Sequence, residues 1–303
     1  MIYKLLLLLL LLFITIEFYF HYKFIEKMKK DLPDNINAFL KEDIELPIVK
    51  KTNSIPKNIY RTYYDLELAK KFNKAYQKTK ENNLELKEKI FDDDMIDEYI
   101  KNNFSNRIYN AYKSINQDYG PAKADFFRYL IIYKEGGIYL DIKSALIKNI
   151  DDILEKNNLI ISKGKANPYP FYYGLINQYK NSYNWSYFSK VNYYGEYNNW
   201  CIISPAGNEV LAKVIKQMVS NIEYGLEHQN KYNNGEYSVL ALTGPIMFSR
   251  VIVEYGNNEN IIITDNDLGG KVKYSYGGVD HKNIGYKKHY SKLKNKNVLE
   301  ITI

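Results

Sequence analysis

At 303 residues and 35.7 kDa, with 46% hydrophobic residues, the chain can bury a full core, which excludes a peptide or a disordered tail. A single cysteine, Cys201, excludes an intramolecular disulfide framework and any multi-cysteine zinc or iron–sulfur site. Four histidines (His21, His228, His281, His289) leave a divalent ion to lean on carboxylates, and the net charge of +7 permits phosphate-bearing partners without naming one.

Leu5 to Ile14 is unbroken apolar, and the run continues through Ile16 and Phe18 to Phe20 past a lone Glu17. It is short beside the roughly 20 apolar residues of a spanning helix, and no small-residue cleavage site follows it. The expectation is an uncleaved signal anchor over residues 1–22 and a single-pass type II membrane protein whose body faces an ER- or Golgi-like lumen. Sequons at Asn103 and Asn184 suit a lumen, whereas Lys23, Lys27, Lys29 and Lys30 outweigh Lys4 and by the positive-inside rule favour the opposite orientation. Residues 23–54, polar and interrupted by Pro33 and Pro47, read as a stem, so the globular domain is expected over 55–303.

Within that domain Ile55 to Tyr63 reads as a first strand. Leu66 to Lys80 carries Leu68, Phe72, Ala75 and Tyr76 at helical spacing, and Leu84 to Phe91 reads as a second strand. Asp92-Asp93-Asp94 then caps a helix, since carboxylates there meet free amides and the positive end of the dipole. Helical segments continue to about Asn116, and Pro121 opens another that Gly136-Gly137 ends after Glu135. Ile138-Tyr139-Leu140 is too short a strand to be anything but buried. Strands alternating with helices predict an α/β sheet. Gly269-Gly270 and Gly277-Gly278 lack phosphate-loop spacing and read as turns. Eight lysines against one acid, Asp280, between Lys271 and Lys296 read as a solvated basic surface. No helix or aromatic-sheet signature of a nucleic-acid binder is present, so no nucleic-acid partner is expected.

Chemistry concentrates between Ala124 and Lys143. Asp125 and Arg128 lie three apart on one helix and so share a face, offering an acceptor and a rigid donor fork to one small polar ligand. Asp141 ends a buried strand, where open α/β sheets bind ligands. Taken residue by residue, an intrahelical ion pair and a turn-capping acid explain these positions equally well, and the spacing between them breaks the tie.

Asp-x-x-Arg-Tyr followed by Gly-Gly-x-Tyr-x-Asp, the second acid sixteen positions after the first, resembles glycosyltransferase family 32, the DXD group that includes yeast-type initiating α-1,6-mannosyltransferases. The resemblance extends to Ile55-Pro56-Lys57-Asn58-Ile59-Tyr60, to Asn199-Trp200 through Ser204-Pro205, and to Thr243-Gly244-Pro245. It implies a GT-A-type Rossmann-like nucleotide-sugar-binding fold, with a mixed, mostly parallel sheet flanked by helices. It also implies retaining transfer of a hexose (mannose, galactose or N-acetylglucosamine) from a nucleoside-diphosphate sugar to a glycan or glycolipid acceptor.

Carried onto this chain, the resemblance makes Asp141 and Arg128 catalytic and gives Asp125, Arg128, Tyr129 and Gly137 to the donor sugar. Tyr63, Asp141, Lys143 and His289 fall to the nucleotide and its diphosphate, and Asp141 with His289 to a Mn²⁺ or Mg²⁺ ion. The departure is Lys143, which stands where the family places the second metal-binding acid; a protonated lysine cannot ligate a metal but can neutralise a diphosphate. A weakly active or binding-only relative is the alternative reading. Trp200 and the tyrosines between Tyr169 and Tyr197 suit either an acceptor platform or core.

Overall fold

The computed structural model describes residues 40–164, 197–228, 235–256, 259–279, 293 and 296–300. The expected anchor, His289 and most of the Tyr169 to Tyr197 cluster lie outside these residues. Among the described residues no helix is long and apolar enough to cross a membrane.

Three strands carry buried side chains on both faces. In β3 (Gly137–Leu140), Ile138 and Leu140 join one hydrophobic cluster and Tyr139 the other. In β6 (Cys201–Ser204), Ile202 parts from Cys201 and Ile203 in the same way, and in β5 (Leu159–Ser162) Ile160 parts from Leu159 and Ile161. Strands buried on both faces need helices above and below, which is the condition for a mostly parallel sheet.

With β1 (Asn58–Thr62), β2 (Lys87–Phe91) and β7 (Ile261–Thr264), these strands form a six-stranded sheet of order β2-β1-β3-β6-β5-β7. Pairings β1–β2, β1–β3 and β5–β7 are parallel, and β6 runs against both its neighbours, so β6 alone opposes the other five. The chain leaves β1 for β2 on one side and returns to β3 on the other. The carboxyl ends of β1 and β3 thus flank a topological switch point, where ligands of open α/β sheets bind. A two-stranded antiparallel ribbon, β4 (Ala145–Leu146) with β8 (Val272–Lys273), follows that edge.

Most of the expected local structure forms. The first two strands occupy shorter spans than their apolar stretches, and Asp92 caps the next helix by accepting from the Met95 amide at 2.8 Å. The segment read as one helix over 66–80 is instead Leu66–Ala69, a 3₁₀ turn at Lys70–Phe72 and Asn73–Asn82. The interruption keeps Ala69, Phe72, Ala75 and Thr79 buried together. Of the expected stem, residues 40–54 are described and lie against the body. Ile44 is buried in the core, and the Lys41 amide donates to Ser220 Oγ at 3.0 Å. Arg107 ties Glu223 (2.6 Å) to Asp43 (2.9 Å). Reading that stretch by its lysines and prolines overlooked Ile44, Leu46 and Val49.

Helix α5 is defined as Gly120–Glu135, counting Leu66–Ala69 and Asn73–Asn82 as α1 and α2, Asp93–Asn103 as α3 and Asn106–Lys113 as α4. Its residues 125–133 are buried all round, because it lies inside the molecule and not on it. Pro121 opens it and Gly136, at φ +66°, ends it. Gly137 follows at φ +97°, where an added Cβ would stand 2.7 Å from the Asn58 carbonyl oxygen. Gly137→Ala should therefore cost about 3 kcal/mol in urea melts, through left-handed strain and a pried-apart β1–β3 pair. A loss under about 1 kcal/mol would show that the strands accommodate the methyl group.

Candidate functional site

Three segments meet at the carboxyl edge of β3. The first turns of α5 bring Asp125 and Arg128, the end of β3 brings Asp141, and the lead into β6 brings Asn199 and Trp200. Arg128 Nη2 lies 3.1 Å from Asp125 Oδ1 and 3.3 Å from Asp141 Oδ1, so one guanidinium joins both carboxylates. The fork is held from other sides as well: Nη1 donates to the Asn199 carbonyl at 2.7 Å, Nε to the Ala124 carbonyl at 3.3 Å, and the plane lies 4.5 Å over the Tyr139 ring.

The side chain of Asp125 is 9% exposed and that of Arg128 6%, whereas Asp141 at 21% is the member that reaches solvent. Asp125 Oδ1 also accepts from Asn199 Nδ2 at 3.1 Å, and Oδ2 accepts from Thr243 Oγ1 at 3.3 Å. Burial pushes the Asp125 carboxyl up to about 7, against the pull of Arg128 and with some help from Asp141. For Arg128, burial works against the charge, but Tyr139, Asp125 and Asp141 outweigh it and hold the guanidinium above its usual range.

An acid whose folded pKa exceeds its unfolded value binds more protons when folded, so its contribution to stability shrinks as pH rises from about 4 to about 7. Relative to Asp125→Asn, the wild type should therefore gain stability as pH falls through that range. A flat difference in paired denaturant titrations would contradict the burial argument.

Two neighbours brace Asp141. The Tyr139 hydroxyl donates to Asp141 Oδ1 at 3.3 Å and lies 3.0 Å from Thr62 Oγ1, linking the ends of β3 and β1. Beneath the turn 141–144, which the Ser144 amide closes on the Asp141 carbonyl at 2.8 Å, lies the guanidinium of Arg61. Arg61 is 1% exposed and donates to the carbonyls of Asp141 (2.8 Å) and Ser144 (2.7 Å), while its Nε meets Glu88 at 2.7 Å. Burial raises the Glu88 carboxyl, opposed by Arg61. Over the turn, Lys143 Nζ sits 4.2 Å from the centre of the Tyr274 ring, which leans on Trp200 at 5.0 Å. The Tyr276 amide donates to the Lys143 carbonyl at 2.7 Å, so the segment after β8 fastens this turn from outside.

Residues 21–160 match the family model described as the glycosyltransferase sugar-binding region containing DXD motif. The similarity to DXD glycosyltransferases thus lies in a stretch of a little under half of the chain. It is 25% identical over 245 residues to the initiation-specific alpha-1,6-mannosyltransferase of Candida albicans, an alignment covering 76% of this chain and 60% of that protein. It is 40% identical over 75 residues to an uncharacterized glycosyltransferase of Acanthamoeba polyphaga mimivirus, covering 24% of this chain and 28% of that one. Among solved structures, PaToxG Glycosyltransferase is similar with a TM-score of 0.44 and 16% identity, covering 78% of this chain and 79% of that chain. The chain thus spans about three-fifths of its Candida relative and less of the viral one.

Of the residues that the glycosyltransferase resemblance marked, Asp125, Arg128 and Asp141 come together, and Lys143 joins them on the turn. Gly137 does not: it begins β3 and Asp141 follows its end, about 13 Å along the strand. Tyr129 is fully buried, with its hydroxyl donating to the Thr243 carbonyl at 3.1 Å and accepting from Asn199 Nδ2 at 3.0 Å. It braces Asp125 from behind and is closed to a sugar. Tyr63 follows β1 at the same edge, its ring packed on Tyr64 and Phe72. Lys271 pairs with Asp152 at 2.6 Å and Lys296 with Asp118, so these two lysines of the basic stretch serve the surface elsewhere. The sequence reading assigned no site role to Arg61 or Tyr139 and did not single out Asn199 or Thr243, although the last two fall within segments that carried the resemblance.

A divalent ion takes oxygen ligands. Here Asp141 Oδ1 is already engaged by Arg128 and Tyr139, position 143 presents an ammonium, and among the described residues no three His, Cys, Asp or Glu side chains gather as an ion site. His289 lies outside the described residues. The described donor set does not fit a divalent metal.

Proposed function

We propose that the chain is a membrane-tethered, retaining hexosyltransferase of GT-A type that moves a hexose from a nucleoside-diphosphate sugar to a glycan or glycolipid. The observation that carries this reading is one buried arginine fork joined to Asp125 and Asp141 at the switch point of the sheet. Asp141, the most exposed of the three, faces the donor at the ribose and diphosphate. Arg128, oriented by Asp125, binds the hydroxyls of the sugar, and Tyr63 lies toward the base.

As the bond to the leaving diphosphate breaks, negative charge grows there, and the preoriented cations of Arg128 and Lys143 stabilise it without rearranging. The acceptor attacks from the face the diphosphate leaves, so the leaving group itself takes the proton and no protein base is required. The Trp200–Tyr274 pair beside this turn supplies the apolar faces on which sugar rings stack.

A thermal-shift screen of UDP- and GDP-sugars should find a donor that raises the melting temperature, because a ligand selective for the folded state stabilises it. With that donor, Asp141→Asn should consume nucleotide sugar at least about 100-fold more slowly than wild type. Equal rates, or no nucleotide sugar that stabilises the protein, would overturn the reading.

A further inference from the structure

The matched family region is described by a DXD motif, yet this chain reads Asp141-Ile142-Lys143. Exchanging an acid for a lysine changes the formal charge of the turn by two units, the charge of the divalent ion that the acid would serve. The surroundings match the exchange. One guanidinium, Arg128, already serves the two carboxylates Asp125 and Asp141, so an acid at position 143 would add a third carboxyl group beside them where this chain carries a cation. An ion would have to compete with Arg128 for Asp141 Oδ1, on a turn that carries the Lys143 ammonium and no second carboxylate.

Lys143 is also held in place. It is 8% exposed, its carbonyl is fixed by the Tyr276 amide, its ammonium is seated on the Tyr274 ring, and Arg61 grips the carbonyls of the turn on either side. An ammonium against a π-face keeps its charge while losing water, which readies it for an anion. The Tyr274 phenol is raised by burial and then by the negative charge of Asp141, so this ring and its lysine sit within the field of the carboxylate.

We propose that Lys143 is a built-in replacement for the divalent cation, so that the protein binds the diphosphate of its donor without metal. The inference rests on the donor-binding reading above and deepens it.

UDP and GDP are titrated calorimetrically into the purified full-length chain, once with excess EDTA and once with excess Mn²⁺. The wild type should bind at least one of them with affinities within about threefold in the two conditions. Lys143→Asp should bind about tenfold or more weakly in EDTA and recover with Mn²⁺, and Lys143→Gln should be weak in both. Wild-type binding that is lost in EDTA and restored by Mn²⁺ overturns the replacement and leaves donor binding standing. Unchanged binding by Lys143→Gln in EDTA also overturns it. Failure of both nucleotides in both conditions overturns the donor reading along with it. Melting curves of each variant establish that it is folded, and the wild-type comparison decides the matter without them.

Discussion

Arg61→Met should lower the unfolding free energy by about 3–5 kcal/mol, the cost of removing one partner of a buried ion pair and leaving the other charged. In a chain of this size that is a drop in melting temperature of roughly 10 °C. The loss has two parts that a second substitution separates. Glu88, 7% exposed at its side chain, is left without the cation that offsets its burial, and the carbonyls of Asp141 and Ser144 lose their donor. Arg61→Met combined with Glu88→Gln removes the stranded charge and should regain about 1–2 kcal/mol. It returns no donor to the turn 141–144, so transfer should remain as slow as in the single variant. Recovery of activity in step with stability would mean that Arg61 supports the fold alone and does not position Asp141 and Lys143.

For Arg128→Lys we expect a loss of about 100-fold or more in donor turnover, with a smaller effect on folding. The native side chain bonds the Asn199 and Ala124 carbonyls, reaches both carboxylates and covers Tyr139, all through one planar group. An ammonium preserves the charge but cannot span these partners together, so Asp125 and Asp141 lose their common reference. Initial rates of nucleotide-sugar consumption measure the effect. Rates within about twofold of wild type would mean that a point charge suffices and that the geometry of the fork has no part in the chemistry. Separating KM from kcat adds to this, since a fork used to place the sugar for reaction should weigh on kcat.

Most elements from β1 to β3 were legible because they carry local signals, such as the Asp92 cap, Pro121 at a helix start, and paired glycines at its end, whereas the break at Lys70–Phe72 carries none. Asp125 and Arg128 were legible as a shared helix face, and Asp141 as an acid at a strand end. The motif could not disclose what surrounds them. Arg61 is a lone arginine in a strand whose partners Glu88 and Ser144 are distant in sequence, and no spacing rule links them. Asn199 and Thr243 matter because β6 and the Thr243 turn converge on α5, an arrangement that exists only after the chain has folded. Tyr129 and Gly137 were drawn toward the ligand by adjacency to the motif. In three dimensions the helix period turns Tyr129 inward, and the length of β3 carries Gly137 away. Residues 40–54 show the converse, since three apolar side chains among lysines, Ile44, Leu46 and Val49, suffice to hold this stretch against the body.

The lone thiol has a practical consequence. Cys201 is fully buried in β6, directly across from Leu140 and beside the Trp200 carbonyl that receives the Asp141 amide, and its surroundings push the thiol up to about 12. It cannot react with an alkylating reagent while the apolar layer packed on that face of β6, Leu268 and Val272 among it, stays in place. Because the chain has no other cysteine, the rate of its modification is a clock for the opening of the layer packed on β6 beside the turn that carries Asp141. A molecule that seats itself across that edge and steadies this layer should slow the clock, so occupancy is readable by mass spectrometry with no knowledge of the reaction.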